Sequence, residues 1–247
     1  MTTSAILAMS DYTPSAKTYW WIATALGAIA IVAAAFGVAA LSPANLTIAL
    51  TGAALAAVAG LVPVTIPGTR TSVSTAEIFV FMMLLTVGPD AAVVAAAVEA
   101  ACISLRTSKR WTSRLASPAM AAIAMWLASQ CYMFLLSMLP VTGNSALMAK
   151  IVLLFVVAAV YFSAGTLLIA SLIKLKKGEA IRPVEIIGDH AWLGLGYACS
   201  AAIAGLLQAS FRGPLEVSIV LVAVLFTAAL LAMLHLYYRH RIETRQA

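Results

Sequence analysis

Charge is scarce in this chain: Asp, Glu, Lys and Arg make up 10% of its 247 residues. A soluble globular domain carries about 25%. With 63% hydrophobic residues, the apolar excess cannot be hidden in one compact water-soluble core. Alternation with period two is missing as well. Stretches such as residues 91–101 are rich in alanine and do not alternate, which argues against barrel strands. Helices are the other structure that keeps backbone groups bonded in lipid. Cysteine is rare and dispersed. Cys102, Cys131 and Cys199 each lie in an apolar block, with no CxxC and no metal-ligand spacing, so buried thiols are expected. Signatures of catalysis are absent: there is no HExxH, nucleophile elbow, P-loop or cofactor fingerprint. The chain is therefore not expected to be an enzyme, or to hold a cofactor or a metal. His235 and His240 are five apart and do not share a helix face. Residues 1–16 contain no basic residue ahead of a hydrophobic core and make a poor secretory signal.

What the chain does have is a series of nearly charge-free blocks, each of about the length that crosses a hydrocarbon layer of roughly 30 Å. They predict an all-α, polytopic transmembrane helix bundle forming a single membrane domain over residues 1–247. About eight spans are expected, at 19–41, 44–64, 74–88, 89–105, 117–139, 148–173, 190–211 and 214–237. Several boundaries carry helix punctuation: Ser42-Pro43, Gly88-Pro89-Asp90 and Gly213-Pro214. Gly52, Ala56 and Gly60 recur every four residues, as do Ser200 and Ala204, so that helix backbones can approach closely.

Orientation follows from the basic residues. With the N-terminus in the cytoplasm, Lys17, Arg70 and the clusters at 106–114, 174–182 and 239–245 fall on that side. Lys150 and Arg212 alone fall on the other. This bias predicts both termini in the cytoplasm. The formal charge of +6 is then a topology signal. The lipid bilayer is the expected partner, and nucleic acid is not.

Spans three and four are short: about 15 residues at 1.5 Å each give roughly 22 Å. Such helices are usually buried among neighbours or form a re-entrant pair. The stretch before them, residues 61–74, has two prolines and many β-branched residues; it reads as extended chain with a turn. Irregular backbone at membrane depth needs protein or a watery cavity to satisfy it. Glu99 is the one acid well inside an apolar block. An ionisable group there costs a few kcal/mol and usually faces the bundle interior. It reads either as a ligand contact or titrating group, or as a satisfied acid near the cytoplasmic boundary. Ser74-Thr75-Ala76-Glu77 fits a capping box. If spans three and four are antiparallel neighbours, Glu77 and Glu99 reach similar depths and Arg70 can neutralise one of them. Trp20, Trp21 and Trp111 fall at expected interfaces. Trp192 and Tyr197 open span seven as belt or cavity residues, and His190 follows Asp189 at an expected helix start. The candidate ligand-binding residues are Arg70, Ser72, Ser74, Glu77, Glu99, Trp192 and Tyr197; no catalytic residue is assigned.

The run from Val64 to Phe81, with Ser72-Val73-Ser74-Thr75-Ala76-Glu77-Ile78-Phe79-Val80-Phe81, is followed by Gly88-Pro89-Asp90-Ala91-Ala92 and by Ser104-Leu105-Arg106-Thr107-Ser108-Lys109-Arg110. Together these resemble the multi-pass N-terminal membrane module of bacterial signalling proteins that carry HD-GYP or GGDEF output domains. In that family a serine-rich stretch with one residue fewer before the acid precedes two short helices. More loosely, the chain is similar to the substrate-binding membrane subunits of vitamin transporters. The first resemblance implies a sensor-type module in the bacterial cytoplasmic (inner) membrane, binding a small or lipophilic ligand and acting as a homodimer or on a cytoplasmic output partner. No output domain lies within the 247 residues, so cyclic-dinucleotide chemistry is not assigned to them. The second implies a small-molecule transport component. A structural bundle is the third reading.

Overall fold

The computed structural model describes residues 9, 11–61, 64–65, 72–73, 76–139 and 144–212, with the backbone alone at 64–65, 72–73, 144–148 and 210–212. Among them are seven helices: α1 Pro14–Ala39, α2 Pro43–Gly60, α3 Glu77–Thr86, α4 Pro89–Thr107, α5 Trp111–Ser137, α6 Asn144–Lys177 and α7 Pro183–Arg212. A two-residue antiparallel ladder, β1 Val64–Thr65 with β2 Ser72–Val73, joins α2 to α3. Its extended backbone agrees with the β-branched residues there; the expected turn between the two strands lies outside the described residues.

Five helices are long and apolar enough to cross a membrane: α1, α2, α5, residues 149–177 of α6 and residues 183–209 of α7. A count of eight spans is not supported. α3 has ten residues, about 15 Å of rise. α4 has 19 residues but carries Asp90, Glu99 and Arg106. The expected eighth span, 214–237, lies outside the described residues.

Helix starts also differ from the apolar blocks. α1 begins at Pro14, α5 at Trp111 and α7 at Pro183, each several residues before the block that marks it. Hydropathy locates the part of a helix that sits in hydrocarbon, whereas caps locate its end. Thr13 and Ser42 accept the backbone N–H of Ala16 and Asn45, with proline at the first helical position. His190 is consequently inside α7, its Nδ1 2.9 Å from the Ile186 carbonyl oxygen, and does not cap a helix start. Gly88, at φ +130°, makes the α3–α4 corner in backbone space that other residues rarely enter.

The core is built on α4, which packs against α1, α2, α3 and α5. Its alanines, Ala91 to Ala97, are largely buried. Small residues set the spacing around it. Gly52, Ala56 and Gly60 are all buried on α2; Gly52 faces the Met83 side chain and Gly60 the Glu99 backbone. Gly27 of α1 lies directly on the Ala119 backbone of α5. In contrast, Trp21, Ile22, Leu26, Ile29, Val32 and Phe36 on the outer face of α1 are exposed. An uncovered apolar stripe over the length of a helix calls for hydrocarbon as its surroundings.

Most of the described basic residues gather at one end, with Lys150 near the other end of α6. Asp11 is held by Arg110 at the start of α5 and by Lys176 at 2.5 Å. Lys176 also lies over the Tyr12 ring at 4.3 Å, and the Thr13 hydroxyl donates to the Leu175 carbonyl at 2.7 Å. Trp20 is 1% exposed, edge-on to Trp111 at 5.4 Å. It is thus an internal tie of this end and not a lipid-facing belt residue; Trp21 is exposed. α5 contains Pro118 near this end.

Candidate functional site

α4 packs on α5 and α3, and α7 packs on α6 and α3. Between α4 and the α6–α7 pair they leave a cavity of about 550 Å³, within the range of small-molecule sites. Each helix supplies one face at helical spacing. α4 gives Glu99, Ile103 and Thr107; α6 gives Tyr161, Gly165, Ile169 and Ile173; α7 gives His190, Leu193 and Tyr197. Ser117 and Ala121 of α5 form the floor, and Glu77 enters from the first turn of α3. From Tyr161 to Ile173 the wall rises about 18 Å. Thr107 and Ile173, at one end, are exposed, whereas Glu77, Glu99 and Tyr161 at the other are buried.

The inner end is acidic and aromatic. Glu77 is 8% and Glu99 4% exposed, and both lie within electrostatic reach of Tyr161 and Tyr197. Oε2 of Glu77 has no hydrogen-bond partner among the described residues. The rings form a chain. Phe81 stands edge-on to Tyr161 at 6.2 Å, Tyr161 edge-on to Tyr197 at 5.5 Å, and Tyr197 is tilted on Phe162 at 5.6 Å. Phe81 is one turn beyond Glu77 on α3, so a ten-residue helix brings both an acid and a ring to the same place. Glu99 is positioned by contact from behind: a β-carbon at Gly60 would lie 3.0 Å from its carbonyl oxygen.

The capping-box assignment of Glu77 does not hold. The helix starts at Glu77 itself, Ala76 is the N-cap, and no side chain caps the end. A glutamate must stand at the third helical position to reach back to the N-cap; at the first, Glu77 turns inward instead. Of the sequence candidates, Glu77, Glu99 and Tyr197 line the cavity. Trp192 is half-buried and is not among the lining residues. Ser72 pairs with Thr65 through its backbone. Arg70 and Ser74 lie outside the described residues.

Sequence reasoning passed over Tyr161, Phe162 and His190 as cavity residues. The signal was faint: Tyr161 and Gly165 stand one turn apart in an otherwise aliphatic block, the spacing of a helix face that is not wholly lipid-facing. Among the described residues no group of three His, Cys, Asp or Glu side chains is placed to hold a metal ion, and the three cysteines are free. The chemistry on offer is recognition by two carboxyl groups, phenols and rings inside an apolar channel. No protein-family model, curated protein or solved structure matches the chain.

Proposed function

We propose that the chain is the membrane-embedded sensory module of a bacterial signalling system, binding a small or lipophilic molecule in the cavity between α4 and the α6–α7 pair. In this reading both termini lie in the cytoplasm, with the basic end of the bundle facing inward. Ligand binding favours one of two bundle arrangements, and the last span carries the difference to a partner. The observation that carries the proposal is the part-open cavity with two buried carboxyl-bearing side chains at its inner end. A purely structural bundle gains nothing from leaving such a gap beside Glu77 and Glu99, since buried acids in a span are costly unless they are used.

A transport component is the second reading, favoured by the short α3, whose Glu77 reaches the cavity's inner end as broken helices border translocation sites. The test is thermal unfolding of the purified chain in lipid nanodiscs against a panel of small amphipathic compounds. Cavity ligands are expected to raise the unfolding midpoint, and Gly165→Leu, which puts a side chain into the gap, to abolish the rise. A chain indifferent to every compound sinks the ligand-binding reading. Concentration-driven uptake of a stabilising compound into liposomes moves the assignment to transport.

A further inference from the structure

We propose that the cavity takes an organic cation: a small apolar molecule with a single positive charge, an amine or quaternary ammonium, seated between Glu77 and Glu99 and against the rings of Tyr161 and Tyr197. This rests on the ligand-binding reading above and names the chemistry of the ligand.

Three features converge on a cation. Glu77 is more than nine-tenths buried, lines the cavity and has an oxygen with no hydrogen-bond partner among the described residues. Buried polar atoms are as a rule satisfied, so that oxygen suits a bound donor or a bound positive charge. A carboxyl group in a membrane span is stabilised most directly by an opposite charge beside it.

The rings supply the second feature. Tyr161 and Tyr197 meet edge-on, and Tyr197 leans on Phe162. Aromatic faces attract a cation within about 6 Å of their centroids, most strongly where water is excluded. Ile103, Ile169 and Leu193 form apolar walls further along and suit the hydrocarbon body of the same molecule.

The third feature is the absence of a competitor. Among the described residues no lysine or arginine lines the cavity. The basic side chains near its open end are engaged elsewhere. Arg106 donates to the Leu61 carbonyl, Arg114 to the Ser108 and Leu105 carbonyls, and Lys174 pairs with Glu179 at 3.6 Å. His190 has its Nδ1 at the Ile186 carbonyl. An anion would meet two carboxyl groups and, among the described residues, no lining lysine or arginine to receive it.

The test compares benzyltrimethylammonium with neopentylbenzene, the same shape with carbon in place of the charged nitrogen, by calorimetric titration of the full chain in nanodiscs. The cation is expected to bind at least tenfold more tightly than its neutral isostere. Glu77→Gln and Glu99→Gln should each weaken the cation about tenfold and leave the isostere unchanged. A second measurement needs no variant. Dicyclohexylcarbodiimide, which modifies carboxyl groups inside membranes, should label Glu77 or Glu99 more slowly when benzyltrimethylammonium is present, and at the same rate with neopentylbenzene. Equal affinity for the two compounds, a preference that survives both glutamine variants, or unprotected labelling overturns the cation assignment and leaves ligand binding standing. If neither compound loses affinity when Gly165→Leu fills the cavity, the cavity reading falls too.

Discussion

The indole N–H of Trp20 donates to the carbonyl of Thr112 at 3.0 Å, joining the start of α1 to the start of α5 across 92 positions of sequence. Trp20→Phe keeps most of the ring packing and removes the bond, and should cost about 0.5–1.5 kcal/mol. Trp20→Ala also opens a hole beside Trp111 and should cost about 3–5 kcal/mol. Reversible denaturation in mixed micelles measures both. Equal losses in the two variants would mean that packing contributes nothing beyond the bond.

Two glycines should respond in opposite directions to alanine. At Gly27 a β-carbon collides with the Ala119 backbone, which cannot yield without separating α1 from α5. Gly27→Ala should therefore destabilise by about 1–3 kcal/mol. At Gly165 the nearest atom is the Ala124 β-carbon at 3.9 Å, an ordinary contact. Gly165→Ala should stabilise by about 0.5–1 kcal/mol through helix propensity. The same micelle denaturation decides, and a Gly27→Ala variant that gains stability would refute the packing of α1 on α5.

The clasp at Asp11 should open in acid. Its carboxyl is held below the usual 3.8, first by the hydrogen bond from Lys176 and also by Arg110, against a smaller opposing effect of desolvation. A group whose folded value is depressed stabilises above its unfolded value and loses that contribution as the pH falls through the folded one. The attachment of Asp11 should be constant at neutral pH and weaken only below about pH 4. Hydrogen exchange at Tyr12 and Thr13 reads it, with Asp11→Asn showing the acid behaviour at every pH. Because Asp11 is about half exposed, the effect on global stability should stay under about 1 kcal/mol. Exchange unaltered by Asp11→Asn at neutral pH would dismiss the clasp.

Orientation has a direct check. With Cys102, Cys131 and Cys199 replaced by alanine, single cysteines at Lys176 and Lys150 should react with an impermeant maleimide from opposite faces of sealed vesicles. The two positions are near the opposite ends of α6. Labelling of both from one face would overturn the spanning assignment of that helix.

The membrane character was legible from composition because lipid selects for it over every block, with or without a partner. Close packing through one face of α2 was legible for a similar reason, since Gly52, Ala56 and Gly60 recur at the spacing of one helix face; that Gly52 meets Met83 of α3 and Gly60 meets Glu99 of α4 was not. The span count was not. A ten-residue helix such as α3 gives the same apolar signal as part of a longer one, and only its packed position shows that it stops. Within the cavity, Glu77 and Glu99 stood out because charge is conspicuous in an apolar run. Tyr161 and Phe162 did not, since a ring in such a run looks the same whether it meets lipid, core or a gap, and the rotation of α6 that decides between them is set by α5 and α7. The helix start at Glu77 was not legible either, because a capping-box spacing counts residues from an N-cap, and here the N-cap is Ala76.

Pro118 has one more consequence. Lacking an amide hydrogen, it leaves the Arg114 carbonyl without its usual bond inside α5, one residue before which Ser117 forms the cavity floor. Tilting the helix at that point sacrifices one bond fewer than tilting it anywhere else along its length. Bending there moves Ser117 relative to Ala121 at little cost in helix hydrogen bonds. Pro118→Ala should slow the entry and exit of a bound molecule together, leaving its equilibrium affinity where it was.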